Sequence, residues 1–85
     1  MKRSKLKEIL EKRTPESRRY YRLYPCLYRD LALWEDFLRI VAENHTKKYR
    51  AAKNFARYDV CEQYGVSEKT FYVIRNILRS LCEDV

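Results

Sequence analysis

The side chains of this 85-residue sequence best placed for chemistry lie between Ser67 and Asn76, and the chemistry they suit is recognition rather than bond cleavage. With Phe71, Ile74 and Leu78 on the inner side of a helix, Glu68, Lys69, Tyr72, Val73 and Asn76 point the other way. Lys69 can donate to guanine, and Asn76 can pair both ways with adenine. Tyr72 and Val73 can pack on thymine methyls. Glu68 can accept from cytosine N4, or merely favour the positive end of the helix. Ser67 and Thr70 are short donors suited to phosphate oxygens at that same end. Arg75 and Arg79 lie toward the flank, where phosphate contact is expected.

A second set grips rather than reads. Arg50, Lys53, Asn54 and Arg57 recur at i, i+3, i+4 and i+7, so one helical face carries them. The bland alternative is a solvated face. A third set, Arg18-Arg19-Tyr20-Tyr21-Arg22-Leu23-Tyr24, interleaves cations with aromatics. It could stack on unpaired bases, which raises RNA or single-stranded DNA, or form a dimer or partner surface. The alternative is that the tyrosines bury their rings and leave Arg18, Arg19 and Arg22 to meet phosphate.

Charge is distributed to match. The net charge of +7 is the sum of +6 over residues 1–22, −2 over 23–46, +5 over 47–57, −2 over 58–66 and zero over 67–85. Two basic blocks therefore flank an acidic stretch and could meet a polyanion. Catalysis is not expected. One histidine, His45, and three cysteines without C-x-x-C spacing supply neither a nucleophile motif nor a metal set, and no glycine loop could cradle phosphate. No cofactor and no small-molecule ligand is expected. Cys26, Cys61 and Cys82 read as reduced thiols of a cytoplasmic protein, with Cys61 buried as a small apolar residue. Neither a signal peptide nor a membrane span is apparent.

The elements that must position these residues are helical. One glycine and two prolines among many Leu, Arg, Lys, Glu and Tyr, without strand alternation, predict an all-α single domain of four to five helices. A basic helix is expected over 4–13. Thr14-Pro15-Glu16 then restarts the chain with a cap, a proline at the first helical position and an acid near the positive end. That second helix, roughly 15–24, must end before Pro25, completing a basic N-terminal region over 1–24. The core helix falls within 27–44, with Leu27, Leu31, Trp34, Leu38 and Val41 as its stripe and Phe37 adjoining. Thr46 is a candidate cap for a helix over 47–64, with Ala52, Phe55, Ala56 and Val60 facing inward. Asp59-Val60-Cys61-Glu62 has the form of a capping box and would permit a break near Tyr58. The last helix spans about Ser67 to Leu81.

Gly65, the only glycine, separates these last two helices. It can take positive φ without a Cβ clash, and Ser67 can cap the second of them. Over Arg57 to Asn76 the chain resembles the helix-turn-helix family of bacterial and phage DNA-binding proteins. Tyr64 and Val66 match the apolar residues either side of the corner glycine. Cys61 stands where the family has a small residue, usually alanine, with Val60 before it. Phe71 and Ile74 fill the two core positions beyond. The G-V-S-x-x-T-x-Y run is also similar to the corner of transposase, invertase and phage-regulator modules. The resemblance implies that residues 47–81 form a helix-turn-helix region. The implied function is sequence-specific binding of double-stranded DNA by a small bacterial or phage transcriptional regulator or mobile-element accessory protein, acting as a homodimer on two half-sites. The alternatives are a protein-interaction module using the tyrosine-rich N-terminal half, or RNA and single-stranded nucleic-acid binding.

Overall fold

The computed structural model describes residues 1–44 and 48–85. Five helices run in order: α1 (Arg3–Glu11), α2 (Pro15–Leu23), α3 (Leu27–Glu43), α4 (Tyr49–Tyr64) and α5 (Glu68–Leu81), with no strand among the described residues. The cap proposed at Thr46, a start at Lys47 and the single histidine, His45, lie outside the described residues.

Local chemistry accounts for most boundaries. Thr14 Oγ1 accepts from the Ser17 N–H at 3.2 Å while Ser17 Oγ accepts from the Thr14 N–H at 3.1 Å. This reciprocal pair satisfies two donors that the first turn of α2 would otherwise leave open. Pro15 occupies the first helical position, where its missing N–H costs nothing. α1 stops at Glu11, two residues short of expectation, because Lys12 is already extended at φ −97°, ψ 144° and feeds directly into the α2 cap. α4 is continuous through Asp59; the capping-box pattern there goes unused because the helix continues on either side of it.

α3 is the hub: α1, α4 and α5 all pack on it, while α2 packs on α1. Leu27, Leu31, Leu33, Trp34, Phe37 and Ile40 are its buried face. This is wider than the stripe read from periodicity, since Leu33 and Ile40 are buried whereas Leu38 and Val41 are only partly so. A helix covered from several sides must bury more than one narrow stripe. Each fully buried Leu or Phe contributes about 1.5–3 kcal/mol. Ala52, Ala56 and Val60 form the inner face of α4, and their small side chains let its backbone approach α3. Phe55, expected inside, is 46% exposed. It lies about 100° round the helix from Ala56, and the close approach selects the alanine line instead.

Trp34 and Phe37 meet Phe71 of α5, with ring centroids 5.8 and 5.2 Å apart. The N-terminus is lashed to the end of the chain. The Met1 carbonyl accepts from the Glu83 N–H at 3.0 Å, and Arg3 pairs with both Asp84 (3.2 Å) and Glu35 (3.1 Å). Tyr20, Tyr21 and Tyr24 of the α2 region pack their rings against the core, and Tyr21 donates to the Leu10 carbonyl at 3.0 Å.

Candidate nucleic-acid interface

The corner between α4 and α5 is built from backbone geometry outward. Gly65 sits at φ +65°, ψ 35°, the only positive φ among the described residues. Its N–H donates to the Glu62 carbonyl at 3.3 Å, and the Val66 N–H reaches back to the Cys61 carbonyl at 3.0 Å. These crossed bonds close the C-terminus of α4 as a left-handed cap. Ser67 Oγ then accepts from the Thr70 N–H at 3.1 Å and donates to Thr70 Oγ1 at 3.0 Å. One helix ends and the next begins within three residues. Tyr64 pins the corner to α3 by donating to Asp36 Oδ2 at 2.5 Å. Burial, reinforced by this bond and the Asp36 charge, pushes the Tyr64 phenol up to about 12.

Phe71, Ile74 and Leu78 are buried as expected, and Glu68, Lys69, Val73 and Asn76 are exposed on the other side of α5. Val73, at 49% exposure, puts an apolar surface in the middle of that polar face. Tyr72 departs from the expected outward direction. It is half-buried: its ring meets Phe71 edge-on, its hydroxyl accepts from Arg57 Nη1 at 3.0 Å, and the Arg75 guanidinium lies over it, 4.8 Å from the centroid. Two guanidiniums and a neighbouring phenyl ring offer more contact than water does, so the side chain turns toward α4.

At the helix start the Ser67 hydroxyl serves first as the cap, and the Thr70 hydroxyl accepts from it. Cys61 is only partly buried, and burial raises its thiol above the ordinary value. Small size rather than full burial is what its place on the last turn of α4 requires.

The basic residues gather more closely than their sequence positions suggest. Arg50, Lys53, Asn54 and Arg57 of α4 face Tyr72, Arg75 and Arg79 of α5 across a groove of about 370 Å³. Trp34, Phe37 and Leu38 of α3 form its floor, and Val85 stands at its edge. Five cations line it and no Asp or Glu does. Among the described residues only Arg57 has an acidic neighbour, Glu68, at 3.6 Å. The cations of α4 and α5 therefore share one groove, although the sequence separates them.

Arg18, Arg19 and Arg22 are exposed on α2, which packs on α1 rather than beside this groove. Sequence reasoning missed Tyr49, whose exposed ring lies 5.1 Å from Lys53 Nζ, and the aromatic floor behind it. The i, i+4 spacing of Tyr49 and Lys53 is the signal that could have found it. Among the described residues no three His, Cys, Asp or Glu side chains come together as a metal set, and no helix is long and apolar enough to cross a membrane. No protein-family model, curated protein or solved structure matches the chain.

Proposed function

We propose that α4, Gly65 and α5 form a helix-turn-helix that binds duplex DNA sequence-specifically, in a small bacterial or phage regulator or a mobile-element accessory protein. The observation that carries this reading is that α5 bears the exposed Lys69, Val73 and Asn76 and also, on the side that lines a five-cation groove, Arg75 and Arg79, while Glu68 pairs with Arg57 of α4. A recognition helix needs side chains free to reach base edges, flanked by cations that neutralise phosphates. Tyr72 takes a different role from the one its spacing suggests. Its hydroxyl and ring hold Arg57 and Arg75 in place, so it orients phosphate-binding guanidiniums and leaves thymine contact to Val73. Binding as a homodimer to two half-sites about one helical turn apart is the arrangement such a corner favours.

Selection from random duplexes and gel-shift titration of the enriched site test this. Lys69→Ala with Asn76→Ala should reduce the preference for the selected site over random duplex while leaving residual affinity. Arg50→Ala with Lys53→Ala should weaken all duplexes alike and flatten the salt dependence by about 0.9 for each lost phosphate contact. If no site is enriched and neither double variant alters binding, the assignment is wrong. The single-stranded alternative rests on Tyr20, Tyr21 and Tyr24, which are partly buried against the core, and direct competition between duplex DNA and single-stranded RNA tests it.

A further inference from the structure

The α4–α5 groove has features that duplex phosphates would leave unused. Two buried side-chain donors have no hydrogen-bond partner among the described residues, Trp34 Nε1 and Arg75 Nε, and both belong to residues that line this one recess. Trp34 is only 5% exposed, so its unpaired N–H is costly unless an acceptor reaches it. Both orphan atoms are N–H groups, and around them stand Arg50, Lys53, Arg57 and Arg79. A site that holds a surplus of donors and positive charge and no carboxylate calls for an oxygen-rich anion. At the mouth, the Lys53 ammonium lies over the Tyr49 ring, 5.1 Å from its centroid, and the ring is otherwise largely exposed. The recess, about 370 Å³, is at the lower end of the range of about 300–1,000 Å³ for small-molecule sites. A duplex keeps its bases paired and its phosphates on a convex rail. A free nucleotide brings both an unpaired ring and a chain of phosphoryl oxygens.

We propose that this groove binds a nucleoside polyphosphate, its base stacked on Tyr49 and its phosphoryl groups among Arg50, Lys53, Arg75 and Arg79. An oxygen that reaches the floor accepts from Trp34 Nε1, which has no partner among the described residues. The site stands without the DNA reading, and its test contains no DNA.

Trp34 is the only tryptophan, so its fluorescence reports on the floor directly. The full chain is titrated with ATP and, separately, with inorganic triphosphate, with calorimetry in parallel. The expected result is saturable binding of ATP that changes Trp34 emission. Arg50→Ala with Arg79→Ala should weaken it about tenfold or more, since charge-assisted bonds are lost. Tyr49→Ala should weaken ATP about tenfold by removing a base-stacking surface, yet leave triphosphate binding unchanged. Lys5→Ala with Lys7→Ala removes the same charge from the exposed side of α1 and should leave ATP binding as it was. All four substituted groove and control cations and Tyr49 are exposed, so these variants keep the core intact. Three outcomes overturn the proposal. They are no saturable binding, equal losses in the α1 and groove variants, or ATP and triphosphate binding that respond identically to Tyr49→Ala.

Discussion

Gly65→Ala isolates the backbone contribution of the corner. Position 65 is exposed, and a Cβ built there meets no atom within 4 Å, so a methyl group causes no collision. What remains is the φ of +65°, which places an L-residue in the left-handed region. That conformation costs an L-residue about 1–2 kcal/mol, part of it offset by the lower unfolded-state entropy of alanine, leaving about 1 kcal/mol of net destabilisation. For a domain of this size the melting temperature should fall by about 4–8 °C. Gly65→D-alanine, made by chemical synthesis, reverses the sign. A D-residue prefers positive φ and loses the same unfolded-state entropy, so it should stabilise by about 0.4–1 kcal/mol. Urea unfolding monitored by far-ultraviolet circular dichroism measures all three chains, with the slope m expected to stay constant. Equal destabilisation by the two enantiomers would show that space, not φ, limits the position. No effect of Gly65→Ala would show that the corner does not hold the left-handed geometry in solution. Either result refutes the reasoning.

Tyr64→Phe removes the hydroxyl that ties α4 to Asp36 and should cost about 1.5 kcal/mol, the lower end for a bond to a charged acceptor that stays partly wet. Because the folded phenol ionises near 12 rather than 10, the folded state holds its proton longer. The stabilisation is therefore complete below pH 10 and disappears as pH rises through about 12, which chemical unfolding of both chains across that range would reveal. Asp84→Asn tests the clasp between the chain ends. Burial alone would raise the Asp84 carboxyl, but the Arg3 N–H and guanidinium outweigh it and hold it below its ordinary value of 3.8. Its contribution is thus present above pH 3.8 and fades as pH falls below that. Melting temperatures of Asp84→Asn and the parent chain should differ at neutral pH and converge in acid.

Much of the helical layout is legible from local chemistry. Thr14-Pro15, Pro25, Gly65 and Ser67 act through their own backbone or a neighbour three residues away, so the boundaries they set appear where expected. Faces are harder to read. Ala52, Phe55, Ala56 and Val60 all fit one broad apolar arc, and only the approach of α3 decides that Phe55 stays outside. Tyr72 shares an arc with Val73 and Asn76, and its direction is decided by Arg57, fifteen residues away. The unexpected groove has the same origin. Tyr49, Leu38 and Arg79 are far apart in sequence and meet only because α4 and α5 both dock on α3.

By itself, the sequence determined that the chain is helical, where most helices stop, that Gly65 is the corner, and that α5 has an inner line of Phe71, Ile74 and Leu78. Those outcomes depend on propensity, capping and periodicity, which act over a few residues. The tertiary structure decided that Arg50, Lys53 and Arg57 join Arg75 and Arg79 around one recess. It also decided that Tyr72 braces rather than projects, and that Trp34 Nε1 is left without an acceptor among the described residues. Each of these depends on which helix lies against which, and side chains on separate helices acquire common surroundings only when the helices pack.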